Sequence, residues 1–93
     1  MRLNHLVTRE DMECAQVEAR TRTKTNYDEC LSNLIDKYYD TPSQRVKNRA
    51  IVEINRTFER MKNEDYSPGC IRVYTTLWRY VKEGEEKRGT QND

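Results

Sequence analysis

Four side chains of this sequence have the chemistry to bind a metal or act as a nucleophile: His5, Cys14, Cys30 and Cys70. A nucleophile needs a base held against it, and the single histidine precedes the first helix start signal, where nothing orients it. As ligands the four fare no better, because the cysteines are separated by 15 and 39 residues and match no compact zinc pattern. Asp11 with Glu13, and Asp28 with Glu29, read as first-turn charges favoured by the helix dipole. Cys14 and Cys30 read as small core or boundary residues. There is no glycine-rich phosphate loop and no dinucleotide fingerprint. No catalytic residue, metal site or cofactor is expected, and the protein reads as a non-enzyme.

What remains is the chemistry of binding. Projected at 100° per residue, Arg45, Arg49, Arg56 and Arg60 fall within about 60° of one another along roughly 22 Å of helix. Segment 42–63 carries a net charge of +4, leaving −3 for the other residues of a chain whose total is +1. Arginine's planar fork suits carboxylate or phosphate, so this basic ridge is a candidate surface for an acidic protein partner. Two plainer readings stand beside it. The ridge is a solvated face with Glu53 and Glu59 as neighbours, or it is neutralised by the acids of segment 26–40 (Asp28, Glu29, Asp36, Asp40).

A second basic face follows downstream. Arg72, Thr75, Thr76, Arg79 and Lys82 lie opposite an apolar stripe, the arrangement by which a helix reads a major groove. The short connector Asn63–Ser67 would complete a helix-turn-helix. The near-neutral balance counts against this nucleic-acid reading, since phosphate attraction supplies most such affinity. Among the aromatics, Tyr39 and Tyr80 are candidates for a partner-binding aromatic surface, whereas Trp78, Leu77 and Ile71 read as core.

The elements that must position these faces are all helical. Thr8 with Asp11 forms a capping pair, flanked by Val7 and Met12 at the positions of a hydrophobic staple. Asn26 with Glu29 is a second cap-like pair. Thr41-Pro42-Ser43-Gln44 offers a cap with proline at the first helical position. Ser67-Pro68 repeats it, with Tyr66 placed to staple onto Ile71, and Gly84 marks an end. These signals predict helices over about 9–24, 27–39, 42–63 and 68–83. Their apolar stripes are Met12, Ala15 and Ala19; Tyr27, Leu31, Leu34, Ile35 and Tyr38; Val46, Ala50, Ile51, Ile54, Phe58 and Met61; and Ile71, Tyr74, Leu77, Trp78 and Val81. The helical spacing also continues from Met12 through Thr23 and Cys30 to Tyr38, so the first two helices are either separate or one rod of about 30 residues that a second chain would have to cover.

The expectation is an all-α bundle of three to four helices: one domain over 1–83 and a flexible polar tail over 84–93. Leu, Ile, Val and Phe make up only about 17% of the 93 residues, with 35% charged, so six tyrosines and one tryptophan must fill much of the core. A domain this small is marginal alone or leans on another subunit. No apolar run is long enough for a bilayer, the Met1–Val7 segment lacks a secretory signal's apolar stretch, and an odd number of distant cysteines suits a reducing compartment. A cytoplasmic location follows as the expectation, with the nucleus as the alternative. In general style the chain is similar to adaptor, inhibitor or phage accessory proteins. The function expected is that of a small interaction protein, self-associating, that binds and modulates another macromolecule. Its alternatives are a nucleic-acid-binding regulator and a structural subunit of a larger assembly.

Overall fold

A computed structural model describes residues 7–91, and their side chains as far as Gly84. All secondary structure among them is helical: α1 Arg9–Thr21, α2 Tyr27–Asp40, α3 Gln44–Asn63 and α4 Pro68–Gln91. The small all-α bundle expected from periodicity is the fold observed.

The first start signal works as written. The Asp11 N–H donates to Thr8 Oγ1 at 3.0 Å and the Thr8 N–H donates back to the Asp11 carboxylate at 3.4 Å, closing a capping box. Val7 is buried just outside it and Met12 packs on the core. After Thr21 the chain leaves the helix until Asn26, whose side chain accepts the Glu29 N–H at 3.0 Å. The continuous rod is therefore broken. Alternating threonines are weak helix formers, and in this stretch Thr23 Oγ1 turns to the Tyr66 hydroxyl at 2.9 Å.

Three boundaries differ from the sequence reading: α1 ends at Thr21 rather than near 24, and the start of α3 and the end of α4 move as well. Ser43, not Thr41, caps α3: its hydroxyl accepts the Val46 N–H at 3.4 Å. Thr41 is committed to closing α2, with its N–H on the Lys37 carbonyl at 3.3 Å, so Pro42 falls in the connector. Gly84 does not end α4, which continues to Gln91. No described glycine has a positive φ, and Glu85, Glu86, Lys87 and Arg88 are good helix formers that carry the helix past it. Residues 92–93, and the side chains beyond Gly84 in the expected tail, lie outside the described residues.

The helices pack as two pairs, α1 with α4 and α2 with α3. In the first pair Ser67, at the start of α4, meets Glu18 near the end of α1. In the second, Lys47 Nζ lies 5.5 Å over the Tyr38 ring, where α2 ends and α3 begins, while Tyr27 at the far end senses Arg60 and Glu64. Both pairs are thus antiparallel. Leu31, Ile54 and Met61 are fully buried between them with Ala15, Ala19, Ala50 and Phe58. Aromatics complete the core: Tyr38 meets Trp78 edge-on at 4.9 Å, and Tyr27 meets Tyr66 at 5.3 Å.

Burial also holds protons. Burial first, and then Glu18, pushes the Cys70 thiol from 9.0 to about 11. Burial, followed by the Glu64 carboxylate, pushes the Tyr27 phenol from 10.0 to about 12. Because these folded-state values lie above the unfolded ones, the stability they carry is complete below pH 9 and is lost as pH rises through about 11 to 12. Urea midpoints followed by circular dichroism are expected to stay level up to about pH 9 and fall beyond it. A midpoint unchanged between pH 9 and 11 would contradict the burial of both groups.

Candidate functional site

The turn between α3 and α4 borders an open concavity. Asp65 takes φ 61°, the left-handed conformation that lets a chain fold back over a helix end. The Tyr66 N–H then reaches the Met61 carbonyl at 3.1 Å and the Asp65 N–H reaches Lys62 at 3.1 Å, a Schellman closure. Arg22 fixes this turn from α1: its guanidinium donates to the Asp65 carbonyl and stacks over the Tyr66 ring at 4.8 Å. Ser67 follows as the cap of α4. Its hydroxyl accepts the Cys70 N–H at 3.2 Å, while its own N–H and O–H both donate to the Glu18 carboxylate at 2.8 Å.

Held in this way, the end of α3 and the first turns of α4 flank an open groove of about 770 Å³. Tyr66, Pro68 and Ile71 give it apolar lining, and Arg72, Thr75, Thr76 and Arg79 line it from α4. Lys62, at the end of α3, and Asp65, in the turn, complete the lining. Thr75 uses its proton on the Ile71 carbonyl, which leaves its oxygen to accept. Lys62, Arg72 and Arg79 thus share the groove with the one carboxylate of Asp65, and Lys62 also pairs with Glu59 on its own helix at 3.5 Å. Four of the five residues singled out on α4 come together here; Lys82 is half-buried and does not line the groove. The α4 pattern alone gave no sign of Lys62, Asp65 and Tyr66 as members, because the turn that brings them in depends on a left-handed residue that is not glycine.

The basic ridge is elsewhere. Arg45, Arg49, Arg56 and Arg60 are all exposed along α3, and Arg56 pairs with Glu53 of the same helix at 3.3 Å. Val52 lies among them, 48% exposed. Among the described residues no α2 carboxylate comes within ion-pair distance of the ridge. Asp28 is instead engaged with Arg20 at 3.0 Å and the Tyr74 hydroxyl at 2.6 Å. Glu29, Asp36 and Asp40 are exposed. Tyr39 and Tyr80 are exposed as well but project from different helices, and no ring contact joins them.

The thiols divide differently from the sequence expectation. Cys14 and Cys30 are exposed, whereas Cys70 is buried, its Sγ donating to the Ala15 carbonyl at 3.5 Å. Among the described residues no three His, Cys, Asp or Glu side chains converge as metal ligands, and His5 lies outside them. No helix among them is long and apolar enough to cross a membrane. Comparison with protein-family models, with curated proteins and with solved structures finds no match to this chain.

Proposed function

We propose that the protein is a small, non-enzymatic interaction module that takes an acidic segment of another protein into the groove between α3 and α4. The observation that carries this reading is the groove's make-up. Its apolar lining of Tyr66, Pro68 and Ile71 suits one apolar side chain, and Lys62, Arg72 and Arg79 in the same lining suit carboxylates. The duplex-reading alternative fits less well. A recognition helix must protrude into the major groove, but Arg72, Thr75, Thr76 and Arg79 line a concavity, in a chain of net charge +1.

Fluorescence anisotropy with short peptides carrying Asp and Glu around one Leu or Phe tests the reading, with lysine-substituted peptides and duplex DNA as comparison probes. Acidic peptides are expected to bind preferentially, and Arg72→Glu with Arg79→Glu is expected to weaken them at least about tenfold, since each charge-assisted hydrogen bond contributes about 1.5–3 kcal/mol. Equal binding of the lysine peptides would refute the proposal. Tighter binding of duplex DNA, with a steep salt slope, would favour the recognition-helix alternative.

A further inference from the structure

The ridge on α3 has a counterpart on α2. Lys47 lies over the Tyr38 ring, and two residues nearer the connector on each helix that register sets Asp40 and Arg45 at about one level of the antiparallel α2–α3 hairpin. Stepping away from that connector by four residues reaches Asp36 on one helix and Arg49 on the other. A further seven reach Glu29 and Arg56. At 1.5 Å per residue both columns have members at about 0, 6 and 17 Å. The acids span about 40° of their helix and the arginines about 20–40° of theirs, each column opposite a buried face carried by Leu31 and Tyr38 or by Ile54 and Met61. All six side chains are exposed. Across the hairpin no ion pair joins one column to the other among the described residues. Two columns of opposite charge, matched level for level, thus lie on the exposed sides of two neighbouring helices.

We infer that this face is a self-complementary docking surface for a second copy of the same chain. A two-fold axis running parallel to the helices, between the copies, lays α2 of one copy against α3 of the other and leaves every level unchanged. Asp40 of one copy then opposes Arg45 of the other, Asp36 opposes Arg49, and Glu29 opposes Arg56. By symmetry each pair occurs twice. The perpendicular two-fold axis would set acids against acids and arginines against arginines, so charge alone selects the first. Val52, exposed between Arg49 and Arg56, adds apolar contact along the α3 column. The face is about 20 Å long and two helices wide, which buries about 800 Å² in total, the scale of a weak and transient contact. It shares no residue with the groove, so it stands or falls independently of the function proposed above.

Sedimentation equilibrium over a wide concentration range tests the pairing. In low salt the mass is expected to rise from 11.2 kDa towards twice that value, and to return to the monomer at about 1 M salt, where the screening length is about 3 Å. Arg49→Glu opposes like charges at two sites and is expected to weaken the dimer about tenfold or more. Adding Asp36→Arg to the same chain restores opposite charges at both sites, and with them the dimer. Both positions are exposed, so helicity by circular dichroism is expected to be unchanged in either variant. A monomer at every concentration in low salt, a dimer indifferent to Arg49→Glu, or a double swap that fails to recover would each overturn the inference.

Discussion

Leu31→Ala is expected to cost about 3 kcal/mol and to lower the melting temperature by about 15 °C or more. Leu31 has no exposed surface and shares the centre of the core with Ile54 and Met61, so truncation leaves a cavity that neighbours on several helices must collapse to fill. A chain of this length has a total stability of only about 5–14 kcal/mol, and a core this poor in Leu and Ile has few other large aliphatics in reserve. Val17→Ala makes the control: Val17 is 59% exposed, and its loss is expected to stay within about 0.5 kcal/mol. Thermal and urea melts of the two variants check the contrast. A Leu31→Ala cost below about 1 kcal/mol would mean that the core is not packed around this residue.

The second large effect lies in the buried polar contact between α2 and α4. Asp28 receives the Tyr74 hydroxyl at 2.6 Å and Arg20 Nε at 3.0 Å. Burial, and then Asp28, raises the Tyr74 phenol well above its usual range, so it is a donor at any physiological pH. Asp28→Ala orphans that buried hydroxyl and is expected to cost about 2–3 kcal/mol. Tyr74→Phe removes the donor yet leaves Asp28 paired with Arg20, and is expected to cost about 1 kcal/mol. Together they are expected to cost less than the sum of the two, by about 1 kcal/mol, because no orphan remains. Urea denaturation of the four proteins in the cycle measures this coupling, and strict additivity would show that the hydroxyl has another acceptor.

Where the physics is local, the fold could be read from the residues. Thr8 with Asp11 and Ser67 before Pro68 are short-range devices, and the apolar stripes of α2 and α3 turn to the core, whereas α4 buries Cys70, Val73, Tyr74 and Trp78 and leaves Ile71, Leu77 and Val81 only partly buried against it. The break between α1 and α2 was not decided by sequence, because apolar spacing continues across it; a contact between Thr23 and the distant Tyr66 helps hold the chain there. Thr41 misled because two residues competed for one cap and α2 claimed the first. The groove was half legible. Its α4 members followed from helical spacing, but the place of Lys62, Asp65 and Tyr66 beside them depends on Asp65 adopting a glycine-like conformation under the hold of Arg22. No spacing rule reports that. The charge ridge was legible as a pattern, while its match to α2 needed the hairpin's register.

The pairing of α1 with α4 around the α2–α3 hairpin also bears on the order of assembly. The hairpin closes across three residues, whereas Glu18 and Ser67 meet across 49 positions of sequence. Closure entropy grows with the logarithm of loop length, so the outer contact carries about 2.5 kcal/mol more of it than the inner one. On that ground the inner hairpin is expected to assemble ahead of the α1–α4 seam, and native-state amide exchange is expected to find that seam, with Cys70 in it, opening before the hairpin.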